Sequence, residues 1–167
     1  FIVSDEEVII IDAGRTQSIA EFMLMSITNI TDKPINYLVF THVDGDHTAA
    51  LPNFPNEIRI IAQDISLKRL QESSKTGISN FPSQQGVSDT KAIMSGDMGI
   101  ELHYFGPAHT DGDLVIFIPK EKTAFIGDLV FFQREPLIKS GGNSFGVVTA
   151  LKSIGCNQQS AQVKSYK

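Results

Sequence analysis

The sequence predicts a single α+β domain: a sheet covered on one face by helices and on the other by a second sheet. Three observations lead there. Short β-branched runs alternate with segments of helical periodicity in a mixed order. Many of the strand runs are apolar throughout, so both of their faces must be covered. The chain has 167 residues, enough for one domain with a real core and too few for two comfortable ones.

The elements follow in order. Phe1 to Val3 and Val8 to Ile11 flank Ser4-Asp5-Glu6-Glu7 and read as a hairpin, its second strand fully buried. Asp12-Ala13-Gly14 ends it. Thr16 is a suitable N-cap, and Ile19, Phe22, Met23, Ile27 and Ile30 recur at helical spacing, predicting a helix over 17–30 with Met23 and Met25 as core filler. Pro34 stops any continuation. Tyr37 to Phe40 reads as a buried strand, Glu57 to Ala62 as another, and Asp64 to Glu72 as a helix. Residues 73–91, rich in Ser, Gly, Gln and Pro, read as a long loop suited to facing a substrate. Ile100 to Phe105, Leu114 to Ile118 and Thr123 to Ile126 are strands, and Val147 to Ile154 is a helix. The domain is expected over 1–156. Residues 157–167 are polar without periodicity and read as a disordered tail.

Composition excludes some functions. Charged residues are 20% of the chain and its formal net charge is -5, with no Lys/Arg cluster, which argues against a nucleic-acid partner. No apolar run is long enough to cross a bilayer, so no membrane partner is expected. The single cysteine, Cys156, allows no internal disulfide and has no base near it in sequence, so it reads as an inert thiol. The compartment stays open, a cytoplasmic one being favoured. The chain begins inside an apolar run at Phe1, which reads as a cut through a strand with a segment missing upstream.

Chemistry concentrates in Thr41-His42-Val43-Asp44-Gly45-Asp46-His47, directly after a buried strand. Imidazole and carboxylate suit Zn, Fe or Mn. In an extended stretch 42, 44 and 46 point to one side, and a turn at Gly45 lets His47 join them. The competing reading is a polar turn in which Asp46 caps the next helix. Two further signals follow strands: His109 in Gly106-Pro107-Ala108-His109-Thr110-Asp111-Gly112-Asp113, and Asp128 in Gly127-Asp128-Leu129-Val130-Phe131. Alone, the first reads as a structural His and the second as a turn former. Together the three repeat one order: strand, then ligand loop. His103 lies mid-strand and reads as surface or packing.

The order Asp12-Ala13-Gly14, His42-x-Asp44-x-Asp46-His47, Gly106-x-x-His109-Thr110 and Gly127-Asp128 resembles the metallo-β-lactamase superfamily, over about residues 1–155. The resemblance implies a four-layered αββα sandwich with metals in a cleft along one edge. It implies that His42 and His109 bind a first metal, that Asp46 and His47 bind a second, and that Asp128 bridges them. Asp12 matches the family's buried aspartate, which shapes the ligand loop. Two departures stand out. Asp44 replaces the family's usual third His, giving two imidazoles and one carboxylate, a set that suits iron as well as zinc. The last His, supplied in the family by a Gly-His-Gly loop, has no counterpart, which weakens the second site. The expectation is a two-zinc hydrolase of an ester, thioester, lactone or amide in a small-molecule substrate, with Asp46 as proton acceptor. The alternatives are an iron redox protein and a truncated, metal-poor homologue without catalysis. A homo-oligomer through an exposed edge strand is also expected.

Overall fold

The computed structural model describes residues 1–73, 75–139, 141–157 and 162–164, of which 156–157 and 162–164 are described by backbone alone. The expected hairpin is present: β1 (Ile2–Val3) pairs antiparallel with β2 (Val8–Ile11). Ser4 closes it, its hydroxyl accepting from the backbone N–H groups of Glu6 and Glu7. Helix α1 (Gln17–Thr28) is capped by the Thr16 side chain, which accepts from the Ile19 N–H. β3 (Ile35–Val39) lies parallel beside β2, and a one-turn helix α2 (Gly45–Thr48) follows the ligand loop. β4 (Arg59–Gln63), α3 (Asp64–Glu72) and β5 (Gln84–Val87) complete a five-stranded sheet in the order β1-β2-β3-β4-β5. β6 (Thr90–Ser95), β7 (Met98–Tyr104), β8 (Leu114–Ile118) and β9 (Thr123–Phe125) form an antiparallel second sheet. Helix α4 (Ser144–Asn157) follows, and β10 (Gln162–Lys164) joins that sheet parallel to β9.

Strand alternation sorts the apolar side chains into three cores. Val8 and Ile10 of β2, with Leu38, Phe40, Ile60 and Ala62, pack against Ala20 and Ile27 of α1 and Leu67 and Leu70 of α3. Ile9, Val39 and Ile61 point the other way and meet Ile100, Leu102, Leu114 and Ile116 of the second sheet. Val115, Ala124 and Ile126 on that sheet's outer face meet Val147, Ala150 and Ile154 of α4. The layers are therefore helix, sheet, sheet, helix. β2 is apolar at every position because each of its faces is a core, and each buried Ile contributes about 1.5–3 kcal/mol.

Three expectations need correction. Helix α1 turns the face containing Ala20, Met23, Leu24 and Ile27 to the sheet, leaving Ile19, Phe22, Met25 and Ile30 exposed. Its sequence offers two overlapping apolar stripes, and the one with a small Ala lets the helix approach closely; Met25 is not core filler. Residues 73–91 are not one loop. They hold a 3-10 turn at Ile78–Asn80, the edge strand β5 and the start of β6, and none of the described ones lines the main cavity. β5 escapes pattern reading because a polar edge strand buries only Val87. The tail expected at 157–167 contains β10; residues 158–161 and 165–167 lie outside the described residues, as does the Cys156 side chain. Among the described residues no helix is long and apolar enough to cross a membrane.

Candidate metal centre

The ends of β2 and β3 in one sheet meet the β7–β8 loop and the turn after β9 from the other at one edge of the sandwich. A hydrogen bond from Leu114 N–H to the Thr41 carbonyl, 2.6 Å, joins the two sheets there. Asp12 organises the first ligand loop. Its backbone sits at φ +58°, a left-handed conformation that Asp tolerates better than most residues. Oδ1 accepts from the Thr41 N–H at 2.8 Å. Oδ2 accepts from the Thr41 hydroxyl and from His47 Nδ1, each at 2.8 Å. The His47 carbonyl in turn accepts from the N–H groups of Ala13 and Gly14.

These bonds fix the tautomers. Thr41 Oγ1 donates to Asp12, so it accepts from His42 Nδ1, 3.1 Å away. His109 Nδ1 donates to the Leu137 carbonyl at 2.6 Å. Each of the three imidazoles thus has its Nδ1 engaged and presents Nε2 to a common space, the arrangement that orients metal-binding histidines. His42 and His109 are buried, and their Nε2 atoms have no hydrogen-bond partner among the described residues. A buried, unsatisfied ring nitrogen is costly unless something ligates it.

All six residues singled out in the sequence converge here. Ligand atoms of His42, His109 and Asp128 lie within 4.8 Å of one another, and so do those of Asp46, His47 and Asp128. Asp128 belongs to both sets: Oδ1 is 3.5 Å from His47 Nε2 and Oδ2 is 3.7 Å from His109 Nε2. Asp44 Oδ2 is 3.8 Å from His42 Nε2 and 3.4 Å from His109 Nε2, but also 3.5 Å from Lys139 Nζ. Asp46 is exposed on α2, and no side chain caps that helix, so the competing capping role fails. Gly127 permits the assembly. Its φ is +52°, and a Cβ there would lie 2.6 Å from Thr41 Oγ1.

Sequence reading missed three supports. Asp113 holds the His109 loop by accepting from the Thr110 N–H and hydroxyl at 2.8 and 2.9 Å; a Thr three residues before an Asp was its available signal. The Leu137 carbonyl and Lys139 arrive from a distant segment and left none. His103 sits apart, bonded to Glu101 and stacked on Phe105, as a surface role requires.

Electrostatics separates the histidines. Burial pushes the His42 pKa down, and His47 nearby adds to this. Burial also lowers that of His47, but the hydrogen bonds to Asp12 and Asp128 outweigh it and hold the imidazole at about 10. Burial raises the Asp128 pKa, which His47 and the other imidazoles more than reverse. Stability follows. Because the folded pKa of His47 lies above its ordinary 6.5, its contribution is complete below pH 6.5 and is lost as pH rises through about 10. The Tm of chelated protein is expected to fall across that window, and His47→Gln to flatten the profile, as scanning calorimetry at several pH values would show.

The sequence model of the metallo-beta-lactamase superfamily matches residues 1–153. The chain is 29% identical over 101 residues to a 2,4-dinitroanisole O-demethylase subunit alpha from Nocardioides sp. (strain JS1661), covering 59% of this chain and 30% of that protein. It is 25% identical over 124 residues to a Beta-lactamase-like protein 2 homolog from Caenorhabditis elegans, covering 73% and 40%. The chain thus spans well under half the length of both relatives. Among solved structures, a metallo-beta-lactamase from Pontibacter korlensis superposes with a TM-score of 0.81 at 19% identity, covering 97% of this chain and 75% of that one. TMB-1 superposes with a TM-score of 0.77 at 20% identity, covering 97% and 73%. The fold, the ordered motifs and the match over nearly the whole chain agree: this chain belongs to the metallo-beta-lactamase superfamily.

Proposed function

We propose that this domain is a metal-dependent hydrolase of an ester, thioester, lactone or amide. The observation that carries the reading is the pair of buried Nε2 atoms of His42 and His109, without hydrogen-bond partners among the described residues and grouped with the Asp128 carboxylate. Their donor set fits a divalent transition ion. His42, His109 and Asp128, with Asp44 beside them, would hold a first ion; Asp46, His47 and Asp128 would hold a second. Such ions supply Lewis acidity toward water and toward the scissile carbonyl. Zinc is the metal proposed.

The chain's own residues then divide the work. Asp46, exposed at the cavity mouth, accepts the proton of the attacking water. The water oxygen bonds to the acyl carbon, the bond to the leaving heteroatom breaks, and that heteroatom takes up a proton, giving an acid and an alcohol, thiol or amine. Asp12 and Thr41 hold the Nδ1 sides of His47 and His42, so that both rings turn Nε2 toward the centre; His47 would lose its Nε2 proton on binding a metal.

The test joins metal analysis to turnover. Protein purified without added metal is expected to carry about two equivalents of zinc, by mass spectrometry, and to hydrolyse members of an ester, thioester, lactone and amide panel. 2,4-Dinitroanisole joins the panel because one relative is named for its O-demethylation. Removal by a chelator should abolish turnover and zinc should restore it. Metal-free protein, or activity indifferent to chelation, would overturn the reading. A second reading, an iron redox centre, draws on Asp44 Oδ2 lying 3.8 and 3.4 Å from the His42 and His109 nitrogens. It requires iron in the purified protein, no hydrolysis, and a colour change on reduction.

A further inference from the structure

A cavity of about 780 Å³ opens beside Asp46, His47 and Asp128. This is the size of pockets that enclose small organic ligands. Away from those residues its wall is apolar, built from Ile11, Ile19, Met23, Val130 and Phe131. Its only other charged lining residues, among those described, are Asp12, which is committed to Thr41 and His47, and two cations, Arg15 and Arg134.

Both arginines are exposed and line this cavity. The Lys and Arg ion pairs among the described residues engage Lys68, Arg69, Lys120 and Lys139, and neither cavity arginine. The Arg134 guanidinium lies over the Phe131 ring, 5.1 Å from its centroid. That stacking leaves its in-plane N–H groups free to donate. Arg15 is brought to the cavity by Gly14, whose φ is +82°. Ile19 packs onto that turn so closely that a Cβ on Gly14 would lie 2.6 Å from its Cγ2. A guanidinium offers a carboxylate or phosphate a planar, charged set of donors. The carboxylates of Asp46 and Asp128, which line the same cavity, repel such an anion.

We infer that this cavity binds an apolar acyl compound carrying an anionic oxygen group, its body on the Ile11, Met23 and Phe131 wall and its anion on Arg15 and Arg134. That this ligand is the substrate rests on the hydrolase reading; that it binds does not. A carboxylate and a phosphate share the recognised chemistry.

The test is isothermal titration of the full chain, stripped by chelator, with octanoate, octyl phosphate and octanol, and with hexanoate and decanoate for chain length. At least one anion is expected to bind about tenfold or more tightly than octanol, as one charge-assisted contact provides. The tighter anion decides between carboxylate and phosphate. Each added methylene should tighten binding about fourfold. The Arg15→Gln/Arg134→Gln double variant should bind anion and alcohol equally, with an unchanged circular dichroism spectrum. Equal binding of anions and octanol to the wild type, selectivity that survives the double variant, or no binding of any probe would overturn the inference. Because the readout is binding to metal-stripped protein, it stands if the turnover panel fails and falls even if the panel succeeds.

Discussion

Asp46→Ala is expected to slow hydrolysis by about 10²–10⁴-fold, the range found when a positioned proton acceptor is lost. Asp46 is the one acid of the centre that is exposed and faces the cavity, and no side-chain hydrogen bond among the described residues engages it. Its loss should therefore cost little stability. It also belongs to the set with His47 and Asp128, so bound zinc should fall from about two equivalents toward one. Asp46→Asn separates the two duties, since the amide keeps a donor oxygen but cannot take a proton. Turnover should be as low in Asn as in Ala, with more of the second metal retained. Unchanged hydrolysis in Asp46→Ala, measured on the same panel, would remove Asp46 from the chemistry.

His42→Ala should strike the other set. His42 is 1% exposed, and its Nε2 is one of two buried side-chain nitrogens with no hydrogen-bond partner among the described residues. Truncation removes a ligand from the first site and leaves Thr41 Oγ1 without its imidazole neighbour. Loss of the first ion is expected, together with most turnover. In chelated protein, melting should show a destabilisation of about 1–3 kcal/mol, the lost Thr41 bond being offset in part because Nε2 was itself unsatisfied. A variant that keeps two equivalents of zinc would show that His42 is a packing residue.

Much of this centre was legible because its chemistry is local. His42, Asp44, Asp46 and His47 fall within one short loop after a buried strand, and His109 and Asp128 follow strands in the same manner. Strand 8–11 and strand 114–118 could be read because two-sided burial demands unbroken apolar runs. What could not be read depends on distant contacts. The Leu137 carbonyl that orients His109 and the Lys139 ammonium beside Asp44 come from a segment whose composition says nothing about its target. The face that α1 buries was misjudged because Ala20 contributes by being small, whereas Ile19 and Phe22 look more apolar and stay outside. Residues 84–87 pair with β4 through backbone hydrogen bonds, which leave no side-chain pattern behind.

Asp128 is shared between two ligand sets, with one oxygen toward His47 and the other toward His109. Two ions drawing on one carboxylate are not independent tenants. Whatever the first does to the orientation and charge of Asp128 changes the affinity of the second, and by reciprocity the second changes the first by the same factor. On the proposed two-ion reading, metal uptake would be a single coupled equilibrium, and the occupancy of one half would report on the state of the other.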